Sequence, residues 1–276
     1  MPEVTVGDYE LNYVDRGDGP PLVLIHGLAG DQSAWLPQLE AWSESYRVIA
    51  FDNRGAGRST QVDEPISTKD MAHDTLGLMD ALGVESACIV GRSMGGAIAQ
   101  HIALLAPERV NGLVLCASFA KLDPVGVRVL TNMREVLEWR DSWADHARHS
   151  LPNFVSPAYY NGNPDVVERL LGLIGGETRL PACYVAQNHA CLEHDTLDRL
   201  HEIECPVLIL AGGRDPICSL TATGWMKERL PESELVVFDD SSHFFLVEEP
   251  ERFMSVAGDW LGRICYQNLS ADSGRS

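Results

Sequence analysis

Apolar residues along this chain gather in short continuous runs, and six of these runs recur at domain-like intervals. They cover residues 22–25, 47–51, 87–90, 112–116, 206–210 and 235–238. Four or five apolar residues without polar alternation read as a strand covered on both faces, the habit of a parallel sheet. Helix-period stretches separate the runs, over residues 36–45, 68–82, 94–106, 218–230 and 250–262. Upstream, Thr5-Val6 and residues 9–14 flank Gly7-Asp8 as in a β-hairpin, with a further turn at Gly17-Asp18-Gly19-Pro20. Strands alternating with helices in this way predict an α/β fold, a mostly parallel eight-stranded sheet flanked by helices.

One stretch breaks the pattern. Between Ser118 and Cys205 no buried-strand run occurs, only helix-like sequence punctuated by Pro152, Pro157, Pro164 and Pro181. Residues 122–202 are therefore expected to be a helical insertion after the sixth strand. This divides the core into residues 1–121 and 203–265, followed by a small, polar tail, 266–276, expected to fray. Ligands of open α/β sheets bind beyond the carboxyl ends of the strands. An insertion leaving from that edge is expected to fold over the site as a lid.

Composition narrows the partners more than the fold. The 276 residues are 45% hydrophobic and 22% charged, ordinary for a globular protein. A formal charge of −19 argues against nucleic acid or an anionic membrane surface, both of which need a basic face. No basic, apolar leader and no run of eighteen apolar residues is visible, so a cytoplasmic location is expected. Seven cysteines without paired short spacing predict buried free thiols in a reducing compartment. A homodimer is left open.

Chemistry concentrates at Gly91-Arg92-Ser93-Met94-Gly95-Gly96, directly after a strand run and directly before a helix run. A serine between strand and helix with glycines on both sides has the form of a nucleophile elbow. Its tight turn strains the serine backbone and lifts the hydroxyl over the sheet edge. A serine hydroxyl needs a base, and the base needs an orienting acid. His243 follows the run at 235–238, and Asp215 follows the run at 206–210. Both lie on the same sheet edge as Ser93, in the chain order Ser…Asp…His. Asp239 and Asp240 compete with Asp215 as the acid but stand too near His243 in sequence. The oxyanion donors are expected to be the backbone N–H groups of Met94 and of Leu28, in His26-Gly27-Leu28. No metal is implied, because His189, Cys191 and His194 lack ligand spacing.

These motifs resemble those of the α/β-hydrolase fold superfamily over nearly the whole chain, with Asp52-Asn53-Arg54-Gly55-Ala56-Gly57-Arg58-Ser59 as a further carrier. Within it the layout is most similar to small-ester and lactone hydrolases such as the 3-oxoadipate enol-lactonases. The resemblance implies a cofactor-free serine hydrolase of a small carboxylic ester or lactone, with Asp52, Arg54 and Ser59 as braces. A serine at the elbow sets aside the haloalkane dehalogenases and epoxide hydrolases, which carry aspartate there. Substrate contacts are expected from Trp35, Trp139 and Trp143, the last two at an i, i+4 spacing that equally suits the core side of one helix. Two roles stand open for Arg92: a brace in the loop layer, the favoured one, or a charge near a substrate carboxylate. Two alternatives to the ester reading also stay open. One is carbon–carbon bond hydrolysis on the same fold. The other is a hydrolase-fold receptor or signalling protein with little turnover.

Overall fold

A computed structural model describes residues 2–176 and 180–272, with side chains up to Cys265. Eight strands form one sheet: β1 (Glu3–Val6), β2 (Tyr9–Arg16), β3 (Pro21–Ile25), β4 (Arg47–Phe51), β5 (Ala87–Arg92), β6 (Val110–Cys116), β7 (Val207–Gly212) and β8 (Glu234–Phe238). Their spatial order is β1-β2-β4-β3-β5-β6-β7-β8. The opening hairpin is antiparallel and β2 joins β4 antiparallel, while every pairing from β4 to β8 is parallel. All six residues of β5 and all six of β7 are buried, which is why their sequences lack polar alternation.

Helices cover both faces: α1 (Leu36–Trp42), α2 (Thr68–Ala81), α3 (Met94–Leu105), then α4 (Pro124–Arg140), α5 (Trp143–Phe154), α6 (Pro157–Gly162), α7 (Pro164–Gly175) and α8 (Pro181–Glu193), and finally α9 (Leu220–Arg229), α10 (Phe245–Glu248) and α11 (Pro250–Asp272). Two apolar layers result. One packs α2 and α3 against the sheet through residues such as Met71, Leu78, Ile98 and Ile102. The other packs α1 and α11 against the opposite face through Trp42, Phe253, Trp260 and Leu261. Between β6 and β7 the described residues make α4 to α8 and no long strand, only an isolated bridge from Lys121 to Asp195.

The structure corrects three expectations. The last helix does not stop near residue 262 but runs to Asp272, and only 273–276 of the expected tail lie outside the described residues. Phe253, Ala257, Trp260, Leu261 and Cys265 recur on one buried face, so the apolar stripe outlasts the polar residues that suggested an end. Cys88 and Cys265 are joined by a disulfide between β5 and α11 across 177 residues of sequence, with Cα atoms 6.3 Å apart. Such a long-range pair leaves no spacing signal, and it removes the cysteine argument for a reducing compartment. Finally, Trp139 and Trp143 do not share a helix. Asp141 takes a left-handed conformation (φ +45°) between them, and Ser142 caps a new helix by accepting from Asp145 N–H. Among the described residues no helix is long and apolar enough to cross a membrane.

Candidate active site

Ser93 sits at the junction of β5 and α3 with φ +54° and ψ −119°, a region that side-chain-bearing residues avoid. Its neighbours hold it there. Ser93 N–H donates to Cys116 O at 2.8 Å, and Ser118 Oγ donates to Ser93 O at 2.9 Å. The glycines are sterically required. A Cβ on Gly95 would lie 2.1 Å from Ile25 O, and one on Gly27 would lie 3.0 Å from Ser93 Cβ. The loop after β3 and the start of α3 therefore meet at the serine. Ser93 is half-buried and its strand and helix neighbours are fully buried.

Met94 is the first residue of α3, so its N–H has no partner inside the helix. Neither that N–H nor the one of Leu28 is used by another protein group among the described residues. The Leu28 loop is held from two sides. Ala29, at φ +61°, donates its N–H to Gln187 Oε1 of α8 at 3.0 Å, while Gln187 Nε2 donates to Arg54 O at 2.8 Å. Asn53 Nδ2 donates to His26 O at 3.0 Å.

Asp215 and His243 meet at the ends of β7 and β8. The His243 Nδ1 and Asp215 Oδ2 are 2.7 Å apart, and both residues are buried. The other Asp215 oxygen accepts the N–H groups of Ile217, at 2.8 Å, and Cys218, at 3.0 Å, which fixes the carboxylate plane. A buried acceptor on Nδ1 selects the tautomer that leaves Nε2 as the basic nitrogen. Asp239 and Asp240 are exposed, and Asp240 pairs with Arg214 instead. No hydrogen bond joins Ser93 Oγ to His243 in this structure. Cys218 neighbours the serine, and its sulfur lies with Asp215 and His243 in one buried cluster. Serine–imidazole bonds in resting enzymes are often long and tighten on substrate binding.

Arg92 is buried under the ring of Phe244, its guanidinium carbon 4.2 Å from the ring centroid. Burial pushes its pKa down to about 10, against the opposing pull of Cys116, Asp215 and Cys218. Its Nη2 has no hydrogen-bond partner. The other face of the story is Phe154, at the end of α5, which stacks on Phe244 at 4.6 Å and 4°. Phe244 N–H donates to Phe154 O at 2.7 Å, and Ser242 Oγ donates to Asn153 O at 3.3 Å. Arg92, Phe244 and Phe154 thus tie the residue before Ser93 and the residue after His243 to the helices between β6 and β7.

The tryptophans are placed otherwise than the sequence suggested. Trp35 is 1% exposed, packed into the core beside Leu22 and Leu24 with its ring edge on His26, because the short helix at Gln32–Trp35 turns it inward. Trp139 is 75% exposed at the end of α4 and so lines no enclosed pocket. Trp143 packs edge-on against His146 and Tyr184 between helices α5 and α8. Behind the site, Asp52 accepts from Gln32 N–H, Arg58 N–H and Asn12 Nδ2. Arg54 forms a buried pair with Asp74 beneath the ring of Tyr9. These residues brace the loop after β4. His189 is exposed on Arg134 while His194 is buried on Thr68 and Thr196, so the cluster set aside from sequence does not converge. Sequence reasoning missed Cys218, Gln187, Phe154 and Phe244. Only Cys218 offered a hint, three residues beyond Asp215.

Comparison with known proteins gives the family. The model of the alpha/beta hydrolase fold family matches residues 20–250. The chain belongs to that family. The protein is an enzyme of the hydrolase class. Over 96% of this chain and 99% of the other, it is 30% identical to an esterase from Thermogutta terrifontis solved with malate bound, with a TM-score of 0.84. It is 29% identical to 3-oxoadipate enol-lactonase 2 of Acinetobacter baylyi, covering 91% of this chain and 92% of that one. It is 32% identical, over 89% and 94%, to an Agrobacterium fabrum protein bearing the provisional name carbamate hydrolase RutD.

Proposed function

We propose that this protein is a serine hydrolase of small carboxylic esters or lactones, working through an acyl-enzyme. The observation that carries the reading is the buried Asp215–His243 pair standing beside a serine held at positive φ on one sheet edge. Attack begins when the Ser93 hydroxyl bonds to His243 Nε2. The imidazole takes the proton as Ser93 Oγ adds to the carbonyl carbon. Asp215 stabilises the imidazolium that forms. The oxyanion is received by the N–H groups of Leu28 and Met94, each such donor being worth about 3–4 kcal/mol in the transition state. His243 then protonates the leaving alkoxide, or the ring oxygen of a lactone. Water, activated by the same nitrogen, releases the acid. Helices α4 to α8 act as the cap over this chamber, seated on it through Gln187 and Phe154.

The enol-lactonase and esterase relatives support carboxylic ester bonds as the target, and the carbamate hydrolase name marks the nearest chemical variant. All three bonds share the tetrahedral step. The test is turnover of p-nitrophenyl esters, a lactone panel, aryl carbamates and vinylogous diketones by the wild-type protein and Ser93→Ala. A fluorophosphonate probe locates the nucleophile by mass. Ester or lactone turnover lost in Ser93→Ala, with the label on Ser93, is the expected result. Equal activity in both proteins sinks the mechanism, labelling without turnover points to a receptor, and preference for diketones points to carbon–carbon hydrolysis.

A further inference from the structure

We propose that the catalytic centre is also a binding site for a thiophilic divalent cation of the zinc type, held by Cys218, His243 and Asp215, whose occupation switches the hydrolase off. Three different donors converge there. One ligand atom each from Asp215, Cys218 and His243 lies within 4.8 Å of the others, and it is the one such group among the described residues. In a tetrahedral zinc site the ligand atoms stand roughly 3.5 Å apart, so rotation of one or two side chains closes the set. His243 meets the cation through Nδ1, the ring nitrogen 2.7 Å from Asp215 Oδ2, so that one hydrogen bond is exchanged for two bonds to the ion, while the other Asp215 oxygen keeps its two N–H donors. Ser93, which neighbours Cys218, offers its hydroxyl oxygen as a fourth ligand.

The donor set selects the cation. Sulfur, imidazole nitrogen and a single carboxylate suit zinc and its soft neighbours, whereas magnesium and calcium want oxygen alone. Burial, with Asp215, Cys191 and Asp123 nearby, pushes the Cys218 thiol well above its ordinary range. The thiol therefore stays protonated beside Ser93 and does not rival it as a nucleophile. Binding exchanges that proton, released to water, for the cation, and no electron moves. Once the cation holds Nδ1, the imidazole's own proton moves to Nε2, and the lone pair that must take the serine proton is occupied. The switching half of the proposal rests on the serine-hydrolase reading, while the binding half does not. Arg92, whose charge faces both Asp215 and Cys218, opposes a dication and limits its affinity.

The test titrates Co2+ as a spectroscopic stand-in and Zn2+ by calorimetry into the full-length protein, Cys218→Ala and Arg92→Met. Expected are one ion per chain and a thiolate-to-cobalt absorption band. Cys218→Ala should lose the band and about 10–100-fold or more in zinc affinity, and Arg92→Met should bind more tightly. Zinc inhibition of ester turnover, reversed by EDTA and weakened in Cys218→Ala, completes the case, with Mg2+ and Ca2+ inert. No thiolate band, or zinc affinity unchanged in Cys218→Ala, overturns it. Because band and heat need no turnover, Cys218-dependent binding in a protein that hydrolyses nothing would uphold the site and defeat the catalytic reading instead.

Discussion

Arg92 should be a residue whose removal makes the protein more stable. Its guanidinium is buried, carries no carboxylate partner, and has its pKa pushed down to about 10. Each tenfold loss of proton affinity is about 1.4 kcal/mol, so keeping this side chain charged inside the fold costs about 3 kcal/mol at neutral pH. The stack on Phe244 returns about 2 kcal/mol for a desolvated cation over an aromatic face. Arg92→Met keeps a long unbranched stem and a sulfur that favours the same ring, worth about 0.3–1.5 kcal/mol. The net expectation is a gain of about 1–2 kcal/mol, or a Tm higher by roughly 2–8 °C in a chain of this size. The pH dependence has a definite sign. A base with lowered folded-state proton affinity carries its full penalty below about pH 10 and sheds it as pH climbs into the ordinary arginine range. The gain should therefore be flat between pH 6 and pH 9. Differential scanning calorimetry at those two pH values, with urea melts for ΔG, makes the measurement. An Arg92→Met protein less stable than wild type by 1 kcal/mol or more would show that the cation is matched after all. Turnover should move the opposite way, falling in the variant, since a charge kept at such a cost beside Ser93 and His243 is expected to serve the chemistry.

Asp215→Asn should lower kcat by about four orders of magnitude while leaving the circular dichroism spectrum unchanged, because the amide cannot hold the required tautomer of His243; a loss under tenfold refutes the assignment. Burial holds His146 at about 4 and His194 at about 3, both well below the ordinary imidazole value. Unfolding exposes them to protonation, so stability present above pH 6.5 should be lost as pH falls toward 4, about 2 kcal/mol per histidine at pH 5. Urea melts of His194→Gln should show that much less loss between pH 7 and pH 5. Denaturing the unreduced protein and alkylating it should label five cysteines, and seven after reduction, matching one disulfide. Reduction should also cost about 2–4 kcal/mol of stability.

The sheet was legible because β5, β7 and their neighbours are buried on both faces, and burial writes itself as uninterrupted apolar sequence. Ser93, Asp215 and His243 were legible for a related reason: each follows such a run, and the run's end is an address on the sheet edge. What failed to show was anything fixed by side chains meeting from distant elements. Cys218 reads as one more apolar residue until the turn after Asp215 brings its sulfur to the serine. Trp35 follows the oxyanion loop in sequence, yet the short helix at Gln32–Trp35 rotates it into the core. Trp139 and Trp143 share a helical spacing that Asp141 interrupts, and a single left-handed residue carries no periodic signal. The Cys88–Cys265 bridge spans too much chain for spacing to reveal it.

The stack of Arg92, Phe244 and Phe154 bears on how such a site can keep its chemistry while changing its substrate. Ser93 and His243 each have a neighbour in this stack, and the third layer belongs to the end of α5. The seat of the cap is thus built into the same ring that sets the histidine loop, reinforced by the Phe244 N–H bond to Phe154 O. Movement of the α5 end would shift Phe244 and with it the imbalance of charge beside Asp215. Helix α6 is tied down as well, Ser156 to Glu248 and Tyr159 to Val247 O, whereas α7 makes no hydrogen bond to the core among the described residues. Val167 in α7 is its one fully buried residue and packs on Leu151 and Val155 of the cap itself rather than on the sheet. Exposed apolar residues, Leu173 at 74% and Leu180 at 56%, mark the same end. Substrate preference in this architecture should accordingly vary through α7, which packs on α5 and α6, whereas substitutions at Phe154 or Phe244 should act on the imidazole and change the rate for every substrate alike.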